Sequence, residues 1–224
     1  MVERKVRYFD KPGPSNTAAT IQVVRAYAKG NRKPAAVVVA SLSGITAAKV
    51  AQALKGTAVP IVCVTGSPCW SEYPQQAIRR IASKRRNQLA KLGVAIVDSV
   101  PSSLSDTIEF SYARYGYRSP TWMFVETLLA VGGYGLKTAV ECLLMATDGG
   151  FIPAFREVVS IAGTGRGADT AIVARSTFST TVFSKDMHKR FVVHEFLAVP
   201  RQRIFYPRVS VGEWTVEEAN AARK

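Results

Sequence analysis

The chain has 224 residues, 47% of them hydrophobic, with 30 Lys and Arg against 16 Asp and Glu for a formal net charge of +14. That apolar content supports a substantial core and excludes a largely disordered chain. The charge points to anionic partners, whether nucleotides, phosphorylated metabolites or nucleic acid, and does not choose among them.

The N-terminus, Met1-Val2-Glu3-Arg4-Lys5, lacks the apolar core of a signal peptide. A short strand is expected at Val6 to Phe9, followed by Asp10-Lys11-Pro12-Gly13-Pro14-Ser15-Asn16-Thr17, where two prolines forbid helix and Ser, Asn and Thr offer caps. A helix then runs from about Thr17 to Lys29, with Ala18, Ile21, Val24, Ala26 and Ala28 as an imperfect apolar face and Gly30-Asn31 as its stop. The apolar run at 35 to 40 reads as a buried strand that breaks into Ser41-Leu42-Ser43-Gly44-Ile45-Thr46 and a helix through Ala53. Val59 to Thr65 is a second apolar strand ending in Gly66-Ser67-Pro68, Tyr73 to Leu92 a long helix, and Val94 to Asp98 a third strand. Strands apolar on both faces and alternating with helices indicate a parallel sheet covered on both sides, with right-handed crossovers.

Between Ser99 and Pro120 the pattern dissolves into a long loop carrying Tyr112, Tyr115 and Tyr117, a length associated with function. The most apolar region, Trp122 to Met145, is interrupted by Glu126, Gly132-Gly133, Lys137 and Glu141, so it reads as two buried helices, about Pro120 to Val131 and Leu136 to Thr147. No run reaches the roughly 18 uninterrupted apolar residues of a membrane span, so a soluble protein without a membrane partner is expected. Two strands, Val158 to Ala162 and Thr170 to Ala174, flank the loop Gly163-Thr164-Gly165-Arg166-Gly167-Ala168-Asp169 and should pair antiparallel. Ser184 to Leu197 is expected as a final helix, and a short polar helix is expected from Val216. Residues 1–200 then form one domain and 201–224 an extension, whose Phe205, Tyr206 and Trp214 suggest homo-oligomerisation as a place to pack.

Two loops are candidates for ligand chemistry. Unpaired backbone N–H groups and the positive dipole end at a helix start let the hydroxyls and glycine of Ser41 to Thr46 cradle a phosphate; the alternative is that Ser43 merely caps the helix. The second loop, Gly163 to Ala168, matches the relaxed dinucleotide pattern G-x-G-x-x-A, but a strand rather than a helix follows, which excludes the Rossmann reading. Its glycines, with Arg166 and Asp169, still suit an anion nest; the alternative is a plain hairpin using glycine for positive φ.

Other motifs are weaker. Gly132 to Thr138 is no Walker motif, because Leu136 stands where glycine must precede Lys137. The basic run Arg79 to Arg86 lacks aromatic interleaving and reads as a solvated helix face, with Ile78, Ile81, Ala82 and Leu89 as the buried side. Cys63, Cys69 and Cys142 have no CxxC spacing, so neither a disulfide framework nor a zinc site is indicated, and a reducing, cytoplasmic location is expected. His188 and His194 lie six residues apart, off one helical face, and no metal site is expected.

The motifs Tyr8 to Thr17, Ser41 to Ala47, Val140-Glu141 with Met145-Ala146-Thr147-Asp148, and Gly163 to Thr170 together resemble the stand-alone archaeal proteins called pyruvate kinase alpha/beta domain-like. These are similar to the C-terminal domain of pyruvate kinase, and the resemblance spans about the first 200 residues. It implies a three-layer α/β/α fold, a mostly parallel sheet with one antiparallel edge strand. It also implies that a loop similar to Ser41 to Thr46 holds a phosphate and that one similar to Gly163 to Thr170 closes over the ligand. The catalytic barrel of pyruvate kinase has no counterpart, so that activity is not expected.

The stand-alone family is associated with flavin mononucleotide, which the resemblance therefore implies as cofactor, with flavin-dependent redox chemistry open. On this expectation Ser41, Ser43, Gly44 and Thr46 hold the phosphate, and Gly163, Thr164, Gly165, Arg166, Gly167 and Asp169 face the ribityl chain or ring. Asn16, Thr17 and Thr65 complete the pocket. A non-catalytic sugar-phosphate sensor is the alternative, and a nucleic-acid binder driven by charge a weaker one.

Overall fold

The computed structural model describes residues 3, 5–68, 81–111 and 117–204. Among these residues, seven strands form one sheet in the order β1-β7-β6-β5-β2-β3-β4. They are β1 (Arg7–Phe9), β2 (Val37–Ala40), β3 (Ile61–Val64), β4 (Val94–Val97), β5 (Glu157–Ala162), β6 (Thr170–Arg175) and β7 (Val193–Pro200). The helices are α1 (Thr17–Lys29), α2 (Ile45–Ala53), α3 (Ser83–Lys91), α4 (Ile108–Ser111) and α5 (Pro120–Asp148).

The three-layer α/β/α fold follows from alternation within the strands. In β2, Val37 and Val39 point into a core shared with α1, α2 and α3, while Val38 points into a core shared with α5. All neighbouring strands are parallel except β6, which runs antiparallel to both β5 and β7. The expected antiparallel strand after the glycine loop is therefore present, and β7 and then β1 lie outside it.

Those outer strands correct the expected helix at Ser184 to Leu197. Val193 to Pro200 is a strand pairing with both β6 and β1, for example Ile172 with Phe196 and Tyr8 with Val199. Its β-branched and aromatic residues suit a pleated surface, and pairing on both sides overrides a weak helical period. The preceding polar residues form turns, with the Asp186 carboxylate accepting the N–H of His188 at 2.9 Å.

The expected helix from Tyr73 to Leu92 is also revised. Ala82 has extended backbone (φ −58°, ψ 145°) and helix begins at Ser83; Ile81 and Leu89 are buried, whereas Ala82 is exposed. Tyr73 to Arg80 lie outside the described residues, as do Cys69, Tyr112, Tyr115, the expected helix from Val216, and the aromatic residues Phe205, Tyr206 and Trp214. The described start of the extension stays attached to the sheet: Arg201 N–H donates to the Phe9 carbonyl at 2.7 Å.

Both expected helices of the apolar region are present, joined through a kink into α5. Gly133 has φ 74° and ψ −171°, which interrupts the helical ladder, and the freed N–H of Tyr134 donates to the Ile204 carbonyl at 2.9 Å. Helix α5 opens with Ser119 accepting from Trp122 N–H at 3.1 Å and Pro120 in the first turn. By length and composition α5 is apolar enough to cross a membrane, yet most of it is buried against the sheet.

Candidate functional site

The carboxyl ends of β2, β3 and β5 lie along one edge of the sheet. From β2 the chain proceeds through α2 to β3 on one side, and from β5 it turns through the glycine loop to β6 on the other. The chain thus parts in opposite directions from two adjacent strands, the arrangement that opens a ligand crevice in sheets of this class. Val39 pairs with Ile161, so both loops begin within two residues of the same rung.

On the β2 side, the turn is held from three directions. Ser41 N–H donates to the Val64 carbonyl at 2.9 Å, Thr65 Oγ1 donates to the Leu42 carbonyl at 3.2 Å, and Gly44 N–H donates to the Ser41 carbonyl at 3.2 Å. Thr65 therefore positions the turn from β3. Gly44 sits at φ 75°, in the left-handed region, and starts α2; a Cβ there would meet Arg85 Cγ at 2.9 Å and Leu89 Cδ1 at 3.0 Å. Ser43 is exposed and its Oγ accepts Ile45 N–H at 3.4 Å, while the N-cap position of α2 is Gly44. Ser41 and Thr46 are buried.

On the β5 side, the glycine loop is tied to the start of α1. Asp169 is fully buried; its Oδ2 accepts Gly13 N–H at 2.9 Å and Thr164 N–H at 3.1 Å, and its Oδ1 accepts Thr170 Oγ1 at 2.9 Å. Thr17 Oγ1 donates to the Pro14 carbonyl at 2.6 Å and accepts Ala168 N–H at 3.0 Å. Asn16 Nδ2 donates to the Lys11 carbonyl at 2.8 Å. Gly167, at φ 67°, lies against Thr17 Oγ1 and Pro14 with no space for a Cβ.

The polar atoms of Asp169 and Thr17 thus join the glycine loop to the start of α1, and both residues are buried. Gly163, Thr164, Gly165 and Gly167 are half-buried and Arg166 is exposed at the rim.

The basic run expected to be only a solvated face contributes more. An open cleft of about 420 Å³ is lined by Ser43 and Ile45 from the start of α2 and by Ile81, Ala82, Lys84, Arg85 and Gln88 from the start of α3. The stem of Arg85 lies across Gly44, and its guanidinium donates to Gln88 Oε1. Among the described residues neither Lys84 nor Arg85 has an acidic partner, whereas Arg86 pairs with Asp98. Sequence reading passed over Lys84 and Arg85 because nothing local shows that the start of α3 abuts the turn after β2. The one available signal was the density of charge between 79 and 86.

A buried polar chain runs beneath this edge on the α5 side. Lys137 Nζ donates to Glu141 Oε2 at 2.7 Å, Ser102 Oγ and Ser105 Oγ donate to Glu141 Oε1, and Asp106 Oδ2 accepts both Ser102 N–H at 2.8 Å and Ser67 Oγ at 2.9 Å. Burial pushes the Glu141 carboxyl up, but the Lys137 ammonium and the two hydroxyls outweigh it and hold the group below the usual carboxylate range. Burial likewise opposes the Lys137 charge, and Glu141 outweighs it, raising that amine. The long loop after β4 thus anchors α5 to β3.

Burial pushes the Cys63 thiol up to about 12 and the Cys142 thiol well above its ordinary value. Among the described residues no group of three or more His, Cys, Asp and Glu is placed to hold a metal ion. No family model matches the chain.

Proposed function

We propose that this protein binds a phosphate-bearing ligand, flavin mononucleotide in the first place, at the carboxyl edge of its sheet. The observation that carries the reading is the Ser41-Leu42-Ser43-Gly44 turn, which opens α2 where β2 and β5 part and has Arg85 laid across it. Unpaired N–H groups in the first turn of α2 and the Ser43 hydroxyl suit the charge of a phosphate, and Arg85 adds positive charge beside them. The chain's contribution is to bind and orient; a bound flavin supplies the redox chemistry.

The test is the absorbance spectrum of the purified protein, followed by titration of the apo form with the flavin. A flavin spectrum or saturable binding is the expected result, and absence of both overturns the reading. A second reading, a non-catalytic sugar-phosphate sensor, draws on the two cations Lys84 and Arg85 in the cleft, which suit a second phosphate. A ligand bound only by the folded state raises its stability, so thermal shift across phosphosugars separates the two readings. Stabilisation by a sugar bisphosphate and not by the flavin would favour the sensor.

A further inference from the structure

We infer that the ring of the ligand lies in the α2–α3 cleft, on the Ser43 side of the turn, and not against the glycine loop. The inference rests on the reading that the α2 start takes a phosphate, and it commits the ligand to a class: a planar heteroaromatic ring with acceptor atoms on one edge, carried on a phosphorylated chain.

The two sides of the turn differ in chemistry. On the glycine-loop side the described surface consists of glycine backbone, Thr164, the rim residue Arg166 and the exposed Pro14, which lies against Gly167, and Asp169 is enclosed. Among the described residues Pro14 is the apolar side chain that this wall offers a ring. On the α3 side, Ile45, Ile81 and Ala82 offer an apolar floor, and Lys84, Arg85 and Gln88 stand around it as polar groups. An apolar lining with a few placed donors is the composition of small-molecule sites, and about 420 Å³ falls within their usual volume of roughly 300–1,000 Å³.

Arg85 is the central element. Its stem packs on Gly44 and its guanidinium is held by Gln88, so the planar group is oriented before a ligand arrives. A guanidinium held in this way stacks on an aromatic face or donates to its acceptor edge at little entropic cost, and an ammonium such as Lys84 supplies a second donor. Ser43 borders both the cleft and the α2 start, so a chain linking phosphate to ring passes over it.

Titrations of flavin mononucleotide and of riboflavin, which has the ring and no phosphate, test this on wild-type protein, on Ser43→Ala and on the double variant Lys84→Gln/Arg85→Gln. Circular dichroism and a thermal melt verify that each variant is folded. The expected pattern is that the double variant weakens both ligands by the same factor, on the order of tenfold, while Ser43→Ala weakens only the phosphorylated one. A double variant that weakens the mononucleotide and leaves riboflavin unchanged puts the two cations on the phosphate and overturns the assignment. So does an unaffected pair of affinities, or a wild-type protein that binds the mononucleotide but not riboflavin. Failure of the wild-type protein to bind either ligand overturns the underlying reading as well, and is seen before any variant is made.

Discussion

The carboxylate of Asp169 accepts the backbone N–H of Gly13 across 156 positions of sequence, at 2.9 Å. With Thr164 N–H on the same oxygen, it closes the glycine loop onto the segment that starts α1. Replacing it by Ala removes the acceptor of three donors, Gly13 N–H and Thr170 Oγ1 at buried positions and Thr164 N–H at a half-buried one, and each buried donor left unsatisfied costs about 1–3 kcal/mol. Asp169→Ala is therefore expected to lower stability by roughly 2–5 kcal/mol, read by urea unfolding, and Asp169→Asn by less, since the amide oxygen can keep one acceptor position. A loss under about 0.5 kcal/mol would show that the carboxylate is not the joint between the loops.

Gly44 combines a left-handed backbone with contact to Arg85 and Leu89. A Cβ in the left-handed region costs roughly 1–2 kcal/mol before any clash is counted. Gly44→Ala is expected to destabilise by at least that amount in urea, and to displace Arg85 from the turn. Its affinity for the flavin, measured on the folded fraction, should fall more than that of an Arg166→Gln variant.

The buried Lys137–Glu141 pair makes a prediction for pH and for substitution. Removing one partner strands the other charge, so Lys137→Met should cost roughly 3–5 kcal/mol, while Lys137→Met with Glu141→Leu should recover much of it. Glu141 has a folded pKa held below its ordinary value of 4.5, so its contribution is present above that pH and is lost as pH falls through the folded value. Lys137, raised above 10.5, contributes fully below that pH and loses the contribution as pH rises past its folded value. Urea midpoints against pH should accordingly show a shallower acid limb in the double variant than in the wild type.

Cys63 and Cys142 are both buried, and their thiols are held protonated by desolvation. Because the thiolate is the reactive form, neither should be alkylated by iodoacetamide in the native protein near neutral pH, and both should be labelled after unfolding. Peptide mapping reads the two sites separately. Native labelling at Cys63 would reveal an accessible thiolate beneath the carboxyl edge.

What the sequence determined by itself is local. Runs such as Val37 to Ala40 and Ile61 to Val64, apolar at every position, place strands in a doubly covered sheet, and Ser-Gly breaks after them place the turns at one edge. Gly133 was legible as a joint because glycine interrupts a helical period. What only the tertiary structure decided is pairing at a distance. Val193 to Pro200 became a strand because β6 and β1 flank it, a contact to which helical and strand periodicity are blind. Asp169 and Thr17 join the glycine loop to the start of α1 across more than 150 positions of sequence, a contact that residue type alone does not show. Lys84 and Arg85 entered the candidate site for the same reason: a charge run on one helix gains meaning from the turn against which the fold sets it.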